Sequence, residues 1–280
     1  MVSLPHHESP RRKALVSYIH SVNGVQQQMA YSLTKVLAAY RAFASEKTIK
    51  PGTKAKLDHA EKTLEVLRKR LAALEAPPDA LRLRSDVLHL VTEETEITKE
   101  VDLLARFAPP FSAALTQLHL AAAALSKALT AVKTPTSHAI RGTKAQIAKA
   151  QAAFAAASDQ AAASEGDAVS AYDAVVARTL TRLRRLQPPP ALAPALESEV
   201  SGLKATYRAG ERLATTLRQK NRANVAQLGR AFTIATRTSQ SIGAQRAEIA
   251  AVKAYNARVH SLGAAVTAVQ HEIARLQSVH

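Results

Sequence analysis

The chain has no cysteine and no tryptophan, and only 4% of its residues are aromatic. The lack of cysteine excludes disulfides, thiolate metal sites and a cysteine nucleophile. It leaves the compartment open, because a cysteine-free protein suits either redox environment. Glycine (9) and proline (12) are scarce in 280 residues, so most of them mark boundaries. No window approaches the ~20 apolar residues needed to span a bilayer. Residues 1–13 carry charges with no apolar core after them, so no signal peptide is visible. There is no Gly-x-x-x-x-Gly-Lys or Gly-x-Gly-x-x-Gly loop to cradle phosphate, and no Gly-x-Ser-x-Gly nucleophile elbow. No alternating run of β-branched residues is bounded by hairpin turns, so nothing reads as strand.

What is present favours helix. Hydrophobic residues make up 47% of the chain, and alanine alone about a fifth. Alanine is the best helix former because it loses no side-chain entropy. It also buries little area, so thin helix–helix seams are expected. The net charge of +16 and pI of about 10.3 favour anionic partners through the general field, and also serve solubility.

Two proline corners organise the chain. Arg70, Leu71 and Leu74 run into Pro77-Pro78, and Arg182, Leu183 and Leu186 run into Pro188-Pro189-Pro190, at a constant offset of 112 residues. Each reads as a helix end, a rigid corner and a new helix start, since proline cannot donate to the helical ladder and pushes its predecessor out of helical conformation.

Residues 1–9 read as a loose arm. A first helix is predicted over Pro10–Ala44 on Leu15, Ile19, Val22, Gln26, Met29, Leu33, Val36, Tyr40 and Phe43, whose spacing of 3 and 4 keeps one face toward a partner. A second carries Leu57, Ala60, Leu64, Leu67, Leu71 and Leu74. A third runs from Asp79 to Phe107 on Leu83, Val87, Leu90, Glu94, Ile97, Val101 and Leu104, and Pro109-Pro110 should end it. A fourth runs from Phe111 to Lys133, on Leu118 and Leu125 among others. Thr134-Pro135-Thr136-Ser137 is the best domain boundary.

The second half repeats the plan faintly. Val169, Tyr172, Val176, Thr179, Leu183 and Leu186 match the second helix, and Leu203 and Leu213 fall opposite Val91 and Val101 at the corner offset. By analogy a turn should fall near Ala163–Asp167, where Gly166 is the only breaker; one helix from Ser137 to Gln187 is the competing reading. Breaks are marked near Arg218–Asn224 and Thr238–Gly243. The last helix steps through Val252, Tyr255, Val259, Leu262, Val266, Val269, Ile273 and Leu276, and its opening echoes the start of the first helix. The expected fold is all-α: tandem antiparallel helical bundles with coiled-coil-like seams, about 7–9 helices, divided into 10–134 and 135–280.

The Tyr/Val helices and the Leu-x-x-Leu segments running into Pro-Pro resemble a loose group of helical proteins encoded in high-GC bacteria, some of them exported or membrane-tethered. The resemblance covers most of the chain. It implies no activity and no functional residues, and it favours an envelope location if a leader has been removed. The N-terminus as it stands fits the cytoplasm.

Candidate chemistry is sparse. A di-metal bundle needs Glu-x-x-His pairs on two helices. Asp86-x-x-His89 beside Glu93 occurs once, and His6-His7 lack further ligands. No metal, cofactor or small-molecule substrate is expected. The acidic run Glu93–Asp102 reads as a solvated face or as the partner of basic groups on a neighbour.

The strongest functional candidate is Arg178–Arg237, with twelve Lys/Arg against three acids. On one continuous helix, Lys204, Arg208, Arg212, Arg218, Arg222, Arg230 and Arg237 would share an arc of roughly 120°. The expected function is a non-catalytic scaffold or interaction protein with a basic surface for an anionic partner, or one that self-associates through its seams. Sequence-independent nucleic-acid binding along Arg178–Arg237 is the alternative, an anionic membrane surface is its rival, and a carboxylate/His metal enzyme comes third.

Overall fold

The computed structural model describes residues 10–44, 52–136, 141–219, 224–238 and 243–278. These form seven α-helices and no strand: α1 Pro10–Ala44, α2 Thr53–Ala73, α3 Leu81–Ala131, α4 Lys144–Leu183, α5 Ala193–Arg218, α6 Val225–Thr238 and α7 Gly243–Ser278. No described helix is long and apolar enough to cross a membrane.

The two proline corners fold alike. Pro77 is extended at φ −56°, ψ 151°, and a single 3-10 turn over Pro78–Ala80 follows before α3. Pro189 sits at φ −54°, ψ 148°, and a turn over Pro190–Leu192 leads into α5. In each, the last turn residue donates its N–H to the proline carbonyl at 2.8 Å: Ala80 to Pro77, and Leu192 to Pro189. Fixed proline φ values and one backbone bond are enough to set the geometry twice. The first corner is also tied down by charge. Arg11 of α1 donates to both carboxylate oxygens of Asp79 at 2.6 and 2.5 Å, and Arg275 of α7 reaches the Asp79 carbonyl at 3.4 Å.

The chain divides into two compact units, Met1–Pro109 with Ala250–His280, and Pro110–Ile249. The expected division into 10–134 and 135–280 differs from this at both ends. The last helix belongs with the first three, because the apolar stripe of α7 closes their core. Leu262, Ala265, Val269 and Leu276 join Leu15, Val22, Met29 and Val36 of α1, Leu57, Leu64, Leu67 and Leu71 of α2, and Leu83, Val87, Ile97 and Val101 of α3 in one buried cluster. Ion pairs fasten α7 at its flanks. Arg258 meets Glu100 of α3 at 2.9 Å, and buried Glu272 holds Arg275 at 2.6 Å with Arg82 of α3 at 3.8 Å. The acidic run of α3 thus does partner basic groups: Asp102 accepts Arg106 at 2.7 Å, and the same guanidinium reaches Asp58 of α2 at 3.1 Å. Gln26, the polar member of the α1 seam, is half-buried.

Pro109-Pro110 does not end a helix. α3 continues through both residues to Ala131. Proline φ is itself helical, so what is lost is two backbone hydrogen bonds and some ring clearance. Both prolines face solvent, on the side where freed carbonyls can be hydrated.

Nor is there a turn at Ala163–Asp167. α4 is one helix across that stretch, as in the competing reading. Gly166 is buried there for a different reason. A Cβ would stand 3.2 Å from the Ala214 carbonyl and 3.3 Å from the Leu217 side chain, so glycine lets α5 come close. α4 starts at a capping box. Thr143 Oγ1 accepts the Gln146 N–H at 3.4 Å, and Gln146 Oε1 accepts the Thr143 N–H at 2.9 Å. Thr143→Ala is expected to cost about 0.5–2 kcal/mol locally, read as faster amide hydrogen exchange over residues 144–150 with the rest of the chain unchanged.

In the second unit α5 packs against both α4 and α6. Val169, Tyr172, Val176 and Leu183 of α4 are buried, as are Leu203, Leu213 and Leu217 of α5. Tyr172 meets Phe232 of α6 edge to face, with centroids 5.9 Å apart. Arg182 donates to Gln117 of α3.

Candidate anion-binding face

The basic residues do not share one helix. α5 ends at Arg218 and α6 begins at Val225, which splits the predicted arc in two. Lys204, Arg208, Arg212 and Arg218 lie on α5, Arg230 and Arg237 on α6, and Arg222 outside the described residues. The physical reason is composition: Gln219–Asn224 offers no apolar residue at seam spacing to hold a continuous rod against α4.

On α5 itself the arc holds. At roughly 100° per residue, Lys204, Arg208, Arg212 and Arg218 fall within roughly 120°, opposite the buried Leu203, Thr206, Gly210, Leu213 and Leu217. All four cations are exposed. Arg218 is engaged, with Nη2 2.9 Å from Asp167 of α4. Lys204, Arg208, Arg212, Arg230 and Arg237 make no ion pair among the described residues. Exposed Glu197 and Glu211 fall inside the same arc, so the face is mixed rather than a pure cation stripe. The surrounding unit is strongly basic. Residues 110–249 hold eighteen Lys/Arg and eight Asp/Glu, a net +10 of the chain's +16.

Sequence reasoning missed the buried carboxyls beneath this face. Asp173 of α4 is 5% exposed, and neither carboxylate oxygen has a hydrogen-bond partner among the described residues. It lies against Gly210, where any Cβ would collide with it. Burial, with the nearby charge of Glu211, pushes the Asp173 carboxyl up to about 7. Burial alone does the same to Glu199 of α5, again to about 7. The Tyr172 hydroxyl, buried without a partner, is raised to about 12 by burial, with the charges of Asp173 and Glu199 adding to it. In the first unit Glu94, read from sequence as a seam residue, is buried and raised to about 7 by burial. One signal could have found Glu199: it stands 112 residues after Val87, a core position. Asp173 has no such signal, because its counterpart at that offset, Glu61, is half-exposed.

The metal candidates do not converge. Asp86 lies 3.9 Å from Arg82, His89 is exposed, and His6 and His7 lie outside the described residues. No group of three or more His, Asp or Glu is placed to hold a metal among the described residues. A shallow groove between α1 and α2 is lined by Gln27, Gln28, Ser32 and His59, with Lys35 Nζ 4.1 Å over the Tyr31 ring. It holds no pair of carboxylates for acid–base work.

The chain matches no family model, no curated protein and no solved structure.

Proposed function

We propose that the protein is a non-catalytic helical scaffold whose second unit presents a basic surface to an anionic partner. The observation that carries this is the outer face of α5. Lys204, Arg208 and Arg212 recur one helical turn apart, point away from the core, and make no ion pair among the described residues. The net +10 of the unit adds a field that concentrates polyanions near that face. The acids inside the arc, Glu197 and Glu211, make the surface a moderate binder at physiological salt. Coiled-coil-like seams and a duplicated helix–corner–helix unit fit a scaffold, and the proline corners in their two matching copies support that part of the reading.

Nucleic acid is the second reading. The specific support is that α6, packed against α5, carries two more exposed cations, Arg230 and Arg237. Each phosphate neutralised releases counterions, so binding would be sequence-independent and steeply salt-dependent. Buried Tyr172 and Phe232 are committed to each other, which leaves half-buried Tyr207 as the one further aromatic of α5 and α6, short of the interleaved rings that stacking on single strands uses.

One experiment separates the readings: affinity for duplex DNA and for anionic liposomes across a salt series. Triple reversal of Lys204, Arg208 and Arg212 to Glu is expected to remove about three units from the salt slope on DNA and to weaken binding at least about tenfold at low salt. Loss on DNA alone selects nucleic acid, and loss on liposomes alone selects a membrane surface. Tight binding that ignores the reversal contradicts the assignment to α5.

A further inference from the structure

Among the described residues, no other helix buries the first part of α4. Nine residues of α4 are buried, and the earliest is Ala161; from Lys144 to Gln160 none is. The reason is where α5 stops. Its last residue, Arg218, meets α4 at Gly166 and Asp167, so the preceding five to six turns of α4 have no α5 beside them. Yet the arm keeps a seam. Ile147, Ala150, Phe154, Ser158 and Ala161 step by 3, 4, 4 and 3, on the same face that Tyr172, Val176 and Thr179 bury further along. Phe154 is 37% exposed in the middle of it.

The charges along this arm are sorted. Arg141, Lys144 and Lys149 precede Phe154, and Asp159, Glu165 and Asp167 follow it. The sorting is symmetric about Phe154. Lys149 and Asp159 are equidistant from it, Arg141 and Asp167 are equidistant from it, and Lys144 and Glu165 differ by one residue. The seam has the same symmetry, with Ile147 mirrored by Ala161 and Ala150 by Ser158.

We propose that the α4 arm, residues 144–164, is a homodimerisation surface that takes the same arm of a second copy, antiparallel, with the two-fold axis at Phe154. An isologous contact needs a self-complementary surface, and this one is self-complementary in three ways. The large Ile147 meets the small Ala161 of the other copy. Phe154 meets Phe154. The basic start of each arm lies over the acidic end of the other. Of these charges, half-buried Glu165 continues the stripe and Lys144 lies at its edge, so these two form the direct pair; the other four lie further round the helix, where Asp167 already accepts Arg218, and contribute through their field. The overlap ends where the last turn of α5 meets α4, so the second arm occupies the face that the described helices leave open. An acidic helix from another protein fits less well, since the arm's own carboxylates would repel its second half.

This inference does not depend on the basic face of α5, and its test reads a different quantity. Sedimentation equilibrium of the full chain over a wide concentration range is expected to show a monomer–dimer equilibrium. Phe154→Asp, at a part-exposed position, should weaken it about thirtyfold or more with the thermal unfolding midpoint unchanged. Lys144→Glu and Glu165→Lys should each weaken it, and the double variant should recover the original constant. Because the chain lacks cysteine, Phe154→Cys provides a single thiol, and oxidation should trap a covalent dimer; Ala156→Cys, on the other side of the helix, should not. A monomer at every concentration overturns the proposal. So does a dimer indifferent to Phe154→Asp, or one in which the double charge exchange fails to rescue.

Discussion

Raising the pH from about 5.5 to about 7.5 is expected to destabilise the protein, by about 1–2 kcal/mol for each of three buried carboxyls. Asp173, Glu94 and Glu199 all stand near 7 in the folded chain, well above their ordinary range. Below about pH 4 such a group is protonated in both states and contributes nothing to the pH dependence. As the pH rises toward 7 the unfolded chain releases the proton while the folded chain holds it, so unfolding is favoured. Above 7 the folded carboxyl ionises too, and the penalty is complete. The direction is opposite to that of a salt-bridged carboxylate such as Glu272, whose pKa is lowered first by its hydrogen bonds from Arg275 and whose stabilisation is lost on acidification.

Variants assign the effect to its sources. Asp173→Ala removes an unpartnered buried carboxylate and leaves room against Gly210. It should flatten the pH dependence by about one proton and hold or raise stability at pH about 8. Glu94→Gln should flatten it in the first unit instead. Urea titrations at a series of pH values read both slopes. Stability that rises with pH, or slopes indifferent to these substitutions, would remove the buried-carboxyl account.

The second large effect is in the cores. Leu64→Ala and Leu203→Ala, both 0% exposed, should each cost about 2–5 kcal/mol through lost burial and the cavity left behind. Leu120→Ala, 63% exposed on α3, should stay within about 0.5 kcal/mol. The contrast is informative because all three are leucines on long helices and differ only in which side of the helix they occupy. Denaturant midpoints with unchanged m-values report it.

The faces of the helices were legible in the sequence. Leu64, Leu67, Leu118 and Leu125 were assigned to seams by spacing alone, and all four are buried. The proline corners were legible because their chemistry is local. Three features were not, each for a physical reason. Periodicity identifies a face and not its partner, so the sequence groups α7 with its nearest neighbours along the chain, although its stripe completes the core of α1, α2 and α3. Proline and glycine carry breaker signals in the sequence, yet Pro109-Pro110 fit a helix where their side faces water, and Gly166 serves close packing against Ala214. The basic arc was drawn on a continuous helix. The break after Arg218 leaves Lys204, Arg208 and Arg212 as its coherent part, while Arg230 and Arg237 belong to α6. Asp173 carried no mark at all, since a carboxylate beside a seam tyrosine looks like any solvated helix residue until a glycine is found opposite it.

The last helix closes the core of the first unit. Hydrogen exchange on a chain ending at Ile249 tests it directly. Protection is expected to collapse over α1, α2 and the first part of α3, where Val22, Leu64 and Leu83 lose their cover, while α4 and α5 keep theirs. Retained protection in α1 and α2, with loss concentrated in α4 and α5, would contradict it.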